Sequence, residues 1–204
     1  MRTGVLALQG DVPEHLAALA RIRAGPAPIA VRAPADLAAV DALFLPGGES
    51  TTIARLLRES GLWEPLAERL RTGLPVLATC AGLILLSHRL APSPAGRNPP
   101  TIDALDVTVR RNDYGSQRES FEDGVRVEGL SGPPFPGVFI RAPRILQHGP
   151  RATALAWRGH EVVGVRQGSV WGLTFHPELA GDPRVHARFL AEAEAAIAVR
   201  PARS

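Results

Sequence analysis

Cys80 is the single cysteine of this 204-residue chain. It stands where one apolar run, Pro75-Val-Leu-Ala-Thr79, meets another, Ala81-Gly-Leu-Ile-Leu-Leu86. The first run reads as a buried strand and the second as a helix. A cysteine at such a junction sits on a tight turn. Its thiolate is favoured by the helix N-terminal field, and the Ala81 amide is free to face an oxyanion. A lone buried cysteine without such context acts more often as a small hydrophobe. The flanking small residues Ala78 and Gly82, which a strained turn needs, favour a nucleophile elbow here.

A nucleophilic thiol requires a base reached in space, and six histidines are available. His176 follows the run Val170-Trp-Gly-Leu-Thr-Phe175 and precedes Pro177-Glu178. It therefore lies at the C-terminal end of a strand, as Cys80 does, and open α/β sheets place their sites on that edge. Pro177 fixes the backbone between His176 and Glu178, so the carboxylate can turn back and orient the imidazole. Alone, His-Pro-Glu is more commonly a solvated loop; together with the Cys80 elbow it becomes a specific Cys-His-Glu constellation.

A third feature, Pro46-Gly-Gly-Glu-Ser-Thr-Thr52, follows the run Ala42-Leu-Phe-Leu45. Adjacent glycines let the main chain approach a ligand, so Gly48 can supply a second oxyanion donor beside Ala81. Glu49 can receive the α-ammonium group of an amino acid. The same run also reads as a tight turn with Glu49 at a helix N-terminus and Ser50 as cap, and both readings can hold together.

The elements that must position these residues alternate along the first half of the chain, as parallel strands linked by crossover helices do. Strands are expected over 5–9, 29–32, 42–46 and 74–79, and helices over 12–23, 50–59, 64–72 and 81–88, with Ser50 or Thr51 capping the second. Residues 91–100, rich in Pro, Ser and Gly, read as a surface loop. Beyond them the pattern is β-rich, with strands over 105–110, 124–127, 138–141, 152–157, 161–167 and 169–175, the last three closely spaced as an antiparallel meander. A closing helix spans 182–198. The expected architecture is a three-layer α/β/α fold with a mixed, mostly parallel central sheet, in one domain over 1–198 with a frayed tail at 199–204.

Composition removes two classes of function. Arg supplies all 23 cations, the net charge is only +3, and Arg110-Arg111 is the only adjacent pair, so no basic stripe tracks a phosphate backbone. The high pI of 10.3 reflects Arg, which hardly deprotonates. No nucleic-acid partner is expected. The longest apolar run, Leu74 to Leu86, contains Pro, Gly and Cys and falls short of the roughly 18 residues that span a bilayer. A single Cys cannot form an internal disulfide, which points to a reduced, cytoplasmic setting.

The triad arrangement resembles class I glutamine amidotransferases. More narrowly, Leu8-Gln-Gly10, Glu14-His15, Pro46 to Thr52, Thr79-Cys-Ala-Gly82, Arg111-Asn112, Ser120-Phe-Glu122, Gly137-Val-Phe-Ile-Arg-Ala-Pro143 and Phe175-His-Pro-Glu178 resemble the glutaminase subunits of pyridoxal 5′-phosphate synthase. The resemblance spans essentially the whole chain. It implies Cys80 as nucleophile, His176 and Glu178 as its triad partners, and Gly47, Gly48, Glu49, Arg111, Ile140 and Arg141 around a bound L-glutamine. Most arginines on such a surface are solvated; Arg111 and Arg141 fall in matching motifs, and a guanidinium fork suits an α-carboxylate. The resemblance further implies no metal or organic cofactor, and ammonia delivery to a separate (β/α)8-barrel synthase subunit in a large heteromeric complex. Two departures stand out: Ala78 where the family usually has Gly, and Ser116 where it has Arg. Rival readings are a glutaminase feeding another synthase, such as the one making imidazole glycerol phosphate, a same-fold Cys or Ser hydrolase acting on peptides, and a silent regulatory subunit.

Overall fold

The computed structural model of the chain describes residues 1–22, 25–93, 96–113 and 120–199. Its first half runs β1 (Thr3–Leu6), α1 (Val12–Ile22), β2 (Ile29–Val31), α2 (Pro34–Ala38), β3 (Ala42–Leu45), α3 (Ser50–Glu59), α4 (Trp63–Arg71), β4 (Val76–Thr79) and α5 (Ala81–Leu86). The second half holds β5 (Ser87–Leu90), β6 (Leu105–Arg110), β7 (Phe121–Val127), β8 (Phe135–Phe139), β9 (Arg144–His148), β10 (Thr153–Arg158), β11 (Glu161–Gln167) and β12 (Val170–Leu173), and α6 (Arg184–Ala198) closes it.

Among the described residues, nine strands form one sheet in the order β2-β1-β3-β4-β12-β11-β10-β7-β8. The neighbours from β2 to β12 pair in parallel, and those from β12 to β8 pair antiparallel. The sheet is thus mixed, but evenly so rather than mostly parallel. The reason lies in the connections: β10, β11 and β12 are joined by turns of a few residues, which cannot carry a parallel crossover.

Side-chain alternation along the central strands divides the core in two. Leu43, Leu45, Val76 and Ala78 face α2 to α5 and a small sheet of order β5-β6-β9. Ala42, Phe44, Leu77, Trp171 and Leu173 face the other way, against α1 and α6. A ring as buried as that of Phe44 is worth about 3–5 kcal/mol when truncated to Ala.

Several local expectations need correction, β5 among them, which was not expected, and β1, which ends at Leu6 rather than at residue 9. The helix from Ala81 stops at Leu86 rather than His88, because Ser87 pairs with Leu105 of β6 and its hydroxyl donates to the Ile84 carbonyl at 2.8 Å. α3 is capped by Glu49, not by Ser50 or Thr51; the Glu49 carboxylate accepts from Thr51 N and Thr52 N. α2 was not expected: Pro34 begins it, and Asp36 accepts from the backbone of Arg32 and Ala33 at 2.9 Å each. Nor was β9, whose polar residues hide its role as edge partner of β6. Of the expected tail, 200–204 lies outside the described residues, as does Ser116.

Candidate active site

The parallel strands deliver their C-terminal ends to one edge of the sheet. Register pairs Leu45 with Ala78 and Leu173 with Thr79, so Cys80 and the segment Thr174 to Glu178 emerge side by side. Cys80 N donates to the Leu173 carbonyl at 2.8 Å. Its backbone has φ 46° and ψ −100°, which few L-residues adopt. β4 and α5, both buried, hold this strained elbow from either side. A side chain on Gly82 would collide with the Leu45 carbonyl oxygen and come within 3.2 Å of the Ala78 methyl. Glycine there leaves room for the turn, and Ala78 packs into it fully buried.

His176 is anchored by its main-chain N, which donates to the Val138 carbonyl at 2.8 Å. Its Nδ1 lies 2.8 Å from Glu178 Oε1 and 3.2 Å from Asp11 Oδ2. Its Nε2 is buried with no hydrogen-bond partner among the described residues. Burial disfavours the imidazolium, but the neighbouring Cys80 sulfur, with Asp11 and Glu178, outweighs it and holds His176 well above the usual histidine range. Burial pushes the Glu178 carboxyl up, and the His176 partnership opposes this. A side chain on Gly47 would collide with His176 Cε1. Asp11, His176 and Glu178 also hold ligand atoms within 4.8 Å of one another, as a cation would need, but the imidazole already engages both carboxylates.

A pocket of about 290 Å³ opens over these groups. Cys80, His176, Gly48, Glu49, Arg111, Ile140 and Arg141 all line it. Of the expected site residues, Gly47, Ala81 and Glu178 do not. Gly47 lies behind, its carbonyl accepting from Asp11 N at 3.2 Å. Ala81 is buried at the first position of α5, where a helix amide has no intrahelical acceptor. Glu178 reaches the site through His176. The Ile140 carbonyl lies 3.9 Å from Cys80 Sγ.

One wall of the pocket carries opposite charges. Burial of Glu49 acts to raise its carboxyl, yet hydrogen bonds from Thr51 and Thr52 prevail and lower it to about 2. Arg111 Nη2 lies 3.6 Å from Glu49 Oε1, and its Nη1 donates to the Arg97 carbonyl at 3.0 Å. Fixed plus and minus groups side by side suit a zwitterion. Gln9, Asp11, Ser50, Ile84 and Asn112 also line the pocket but were not among the expected site residues, although Gln9, Ser50 and Asn112 stand in the motifs quoted above. For Gln9 and Asp11 a signal was present, since they directly follow β1 on the edge where sites form.

The model of the SNO glutamine amidotransferase family matches residues 5–195. The pyridoxal 5′-phosphate synthase subunit PdxT of Streptomyces griseus subsp. griseus is 51% identical over 187 residues, covering 92% of this chain and 93% of that protein. The PdxT subunit of Thermococcus onnurineus is 47% identical over 198 residues, covering 95% and 99%. A solved structure described as a glutamine amidotransferase superposes with a TM-score of 0.86 at 43% identity, covering 95% of this chain and 100% of that one.

Proposed function

The chain belongs to the SNO glutamine amidotransferase family, and on that premise we propose that it is the glutaminase subunit of a pyridoxal 5′-phosphate synthase, with Cys80, His176 and Glu178 as its triad. The observation that carries this reading is the Cys80–His176–Glu178 array opening into a pocket walled by Glu49 and Arg111. The α-ammonium of L-glutamine faces Glu49, its α-carboxylate faces Arg111, and Gly47, Gly48, Ile140 and Arg141 complete the surroundings.

The Cys80 thiolate adds to the side-chain amide carbon, and the oxyanion is met by the amides of Gly48 and Ala81. The imidazolium of His176 gives its proton to the departing nitrogen, so ammonia leaves and a glutamyl thioester remains. The neutral imidazole then takes a proton from water, hydroxide attacks the thioester, and glutamate leaves with the thiolate restored. Glu178 orients the imidazole through Nδ1. Ammonia passes to a (β/α)8-barrel synthase subunit within a large heteromeric complex. Residues 1–198 act as one amidotransferase domain, supported by two core clusters built on one sheet. The setting is the cytoplasm, supported by the lone thiol; no helix among the described residues is long and apolar enough to cross a membrane.

Ammonia release from glutamine, with and without the synthase subunit, tests the reading. Cys80→Ala is expected to abolish release while leaving the fold and glutamine binding intact. Turnover by this variant within tenfold of the unmodified chain would overturn it.

A further inference from the structure

Behind the triad, on the side of Glu178 away from the pocket, lies a chain of polar side chains that the reaction above does not use. His15 on α1, Thr79 at the end of β4 and His186 on α6 are all fully buried. His15 Nδ1 lies 3.1 Å from His186 Nε2, and His15 Nε2 lies 3.3 Å from Thr79 Oγ1 and 3.5 Å from Glu178 Oε2. Thr79 Oγ1 donates to Glu178 Oε1 at 3.4 Å. No hydrogen bond reaches Glu178 Oε2 among the described residues, and His15 Nε2 lies 3.5 Å from it.

The hydrogen-bond roles fix the protons. Since the Thr79 hydroxyl spends its proton on Glu178, its oxygen must accept from His15, which places the His15 proton on Nε2. Nδ1 of His15 is then an acceptor and takes its bond from an Nε2 proton on His186. That leaves His186 Nδ1 without a proton, and it is the one ring nitrogen of the pair with no partner among the described residues. An unpaired buried acceptor is tolerated more readily than an unpaired donor. Phe44 stacks on His186 at 11° between planes, with centroids 5.3 Å apart, and fixes the ring that starts the chain.

We propose that His15 and His186 are positioning residues for the glutaminase reaction: a neutral imidazole pair in which His186 Nε2–H donates to His15 Nδ1 and His15 Nε2–H donates to Thr79 Oγ1, so that the Thr79 hydroxyl turns its proton to Glu178 and keeps the carboxylate ionised and turned toward His176. This rests on the triad reading given above. Both rings are neutral at working pH, because burial, with His186 and His176 nearby, holds His15 well below the usual histidine range and burial lowers His186 to about 4. The titratable groups facing Glu178 are His15 and Asp11 from α1 and its approach, His176 beside it, and Cys80 beyond His176; His186 of α6 acts through His15.

The first test uses ¹⁵N imidazole NMR on the full chain, with His15 and His186 assigned by single substitution. Both are expected as neutral Nε2–H tautomers from pH 6 to 8, and an Nδ1–H tautomer or a protonated ring at His15 would overturn the proposal. The second test compares His15→Gln, which keeps a donor at about the reach of Nε2, with His15→Leu, which does not. The Leu variant is expected to lose about tenfold to hundredfold in kcat, by analogy with removing the outer hydrogen-bond partner of a metal-bound histidine, at nearly unchanged KM. Its acid limb of kcat/KM should move to higher pH, because the Thr79 hydroxyl is then no longer held with its proton on Glu178 and the carboxylate is harder to ionise. The Gln variant is expected to recover most of the loss. Wild-type pH profiles in both variants would overturn the proposal. If His15→Leu does not fold, His186→Phe serves, with a smaller shift in the same direction expected and an unchanged profile counting against. Ammonia release that survives Cys80→Ala would sink the triad reading instead, and the tautomers would still test the buried chain.

Discussion

Asp11 and Glu178 meet at one atom: Asp11 Oδ2 and Glu178 Oε1 lie 3.2 and 2.8 Å from the same nitrogen, Nδ1 of His176. A single N–H cannot serve both acceptors well, so Glu178, nearer and buried, orients the ring. Asp11 borders the pocket, partly exposed, and helps to raise the proton affinity of the ring.

Asp11→Asn is therefore expected to lower the proton affinity of His176. A histidine raised above its ordinary value keeps its proton until the pH climbs through the raised value, so removing Asp11 brings that loss to lower pH. The basic limb of kcat/KM should shift downward, the more modestly because Asp11 is partly in water. A pH–rate profile with an unmoved basic limb would take Asp11 out of the acid–base array.

Glu178→Gln should cost less than His176→Ala on the proposed roles, in which the carboxylate orients and the imidazole transfers protons. The Gln variant is expected to keep about a hundredfold more activity, by analogy with the unequal losses in hydrolase triads. Single-turnover ammonia release measures this. Equal or reversed losses mean that the two roles are misassigned.

Glu49→Ala removes the cap of α3 and one charge from the pocket wall, so KM for glutamine should rise. Stability should fall by about 0.5–2 kcal/mol. The folded carboxyl is lowered from 4.5 to about 2, so its ionic share of stability is present above pH 4.5 and fades as the pH falls toward 2. Thermal unfolding should show the gap between the two proteins narrowing across that window. A gap that stays constant down to pH 2.5 would mean that the cap does not depend on charge.

Gly48→Ala should disable the pocket and blunt activation by the synthase subunit. Gly48 has φ +146°, and an added methyl would sit 2.6 Å from Gln9 Oε1, which accepts from Glu49 N at 2.9 Å. The Gly47 carbonyl is held by Asp11 N, so the Gly48 N–H points to the opposite side of that trans peptide. Turning the peptide costs one hydrogen bond, and a partner that selects the turned state by about 2.7 kcal/mol would raise turnover about a hundredfold. Glutamine hydrolysis by the isolated chain as fast as by the mixture would refute this gating.

The local grammar of the chain determined much of this protein. Short aliphatic runs set the strands, and β11 matches its expected bounds at Glu161–Gln167 because polar turns bracket it. A strand meeting a helix at a lone cysteine, Pro177 between His176 and Glu178, and adjacent glycines after β3 are features of neighbouring residues, so no folded coordinates were needed to single them out. α2 and β9 escaped because each is stabilised from outside its own sequence: a five-residue helix rests on Leu37 in the core, and an edge strand with three exposed residues rests on its pairing with β6.

Tertiary structure alone decided what surrounds the triad. Asp11 and His15 come from α1 and the turn before it, Thr79 from the end of β4, His176 from the segment after β12 and His186 from α6, and His15 and His186 touch across 171 positions. Nothing in a local window tells a histidine aimed at a carboxylate from one aimed at water. That choice is made only when α1 and α6 pack on the same face of the sheet and the cost of burying an unpaired polar group forces the rings, the hydroxyl and the carboxylate to find one another.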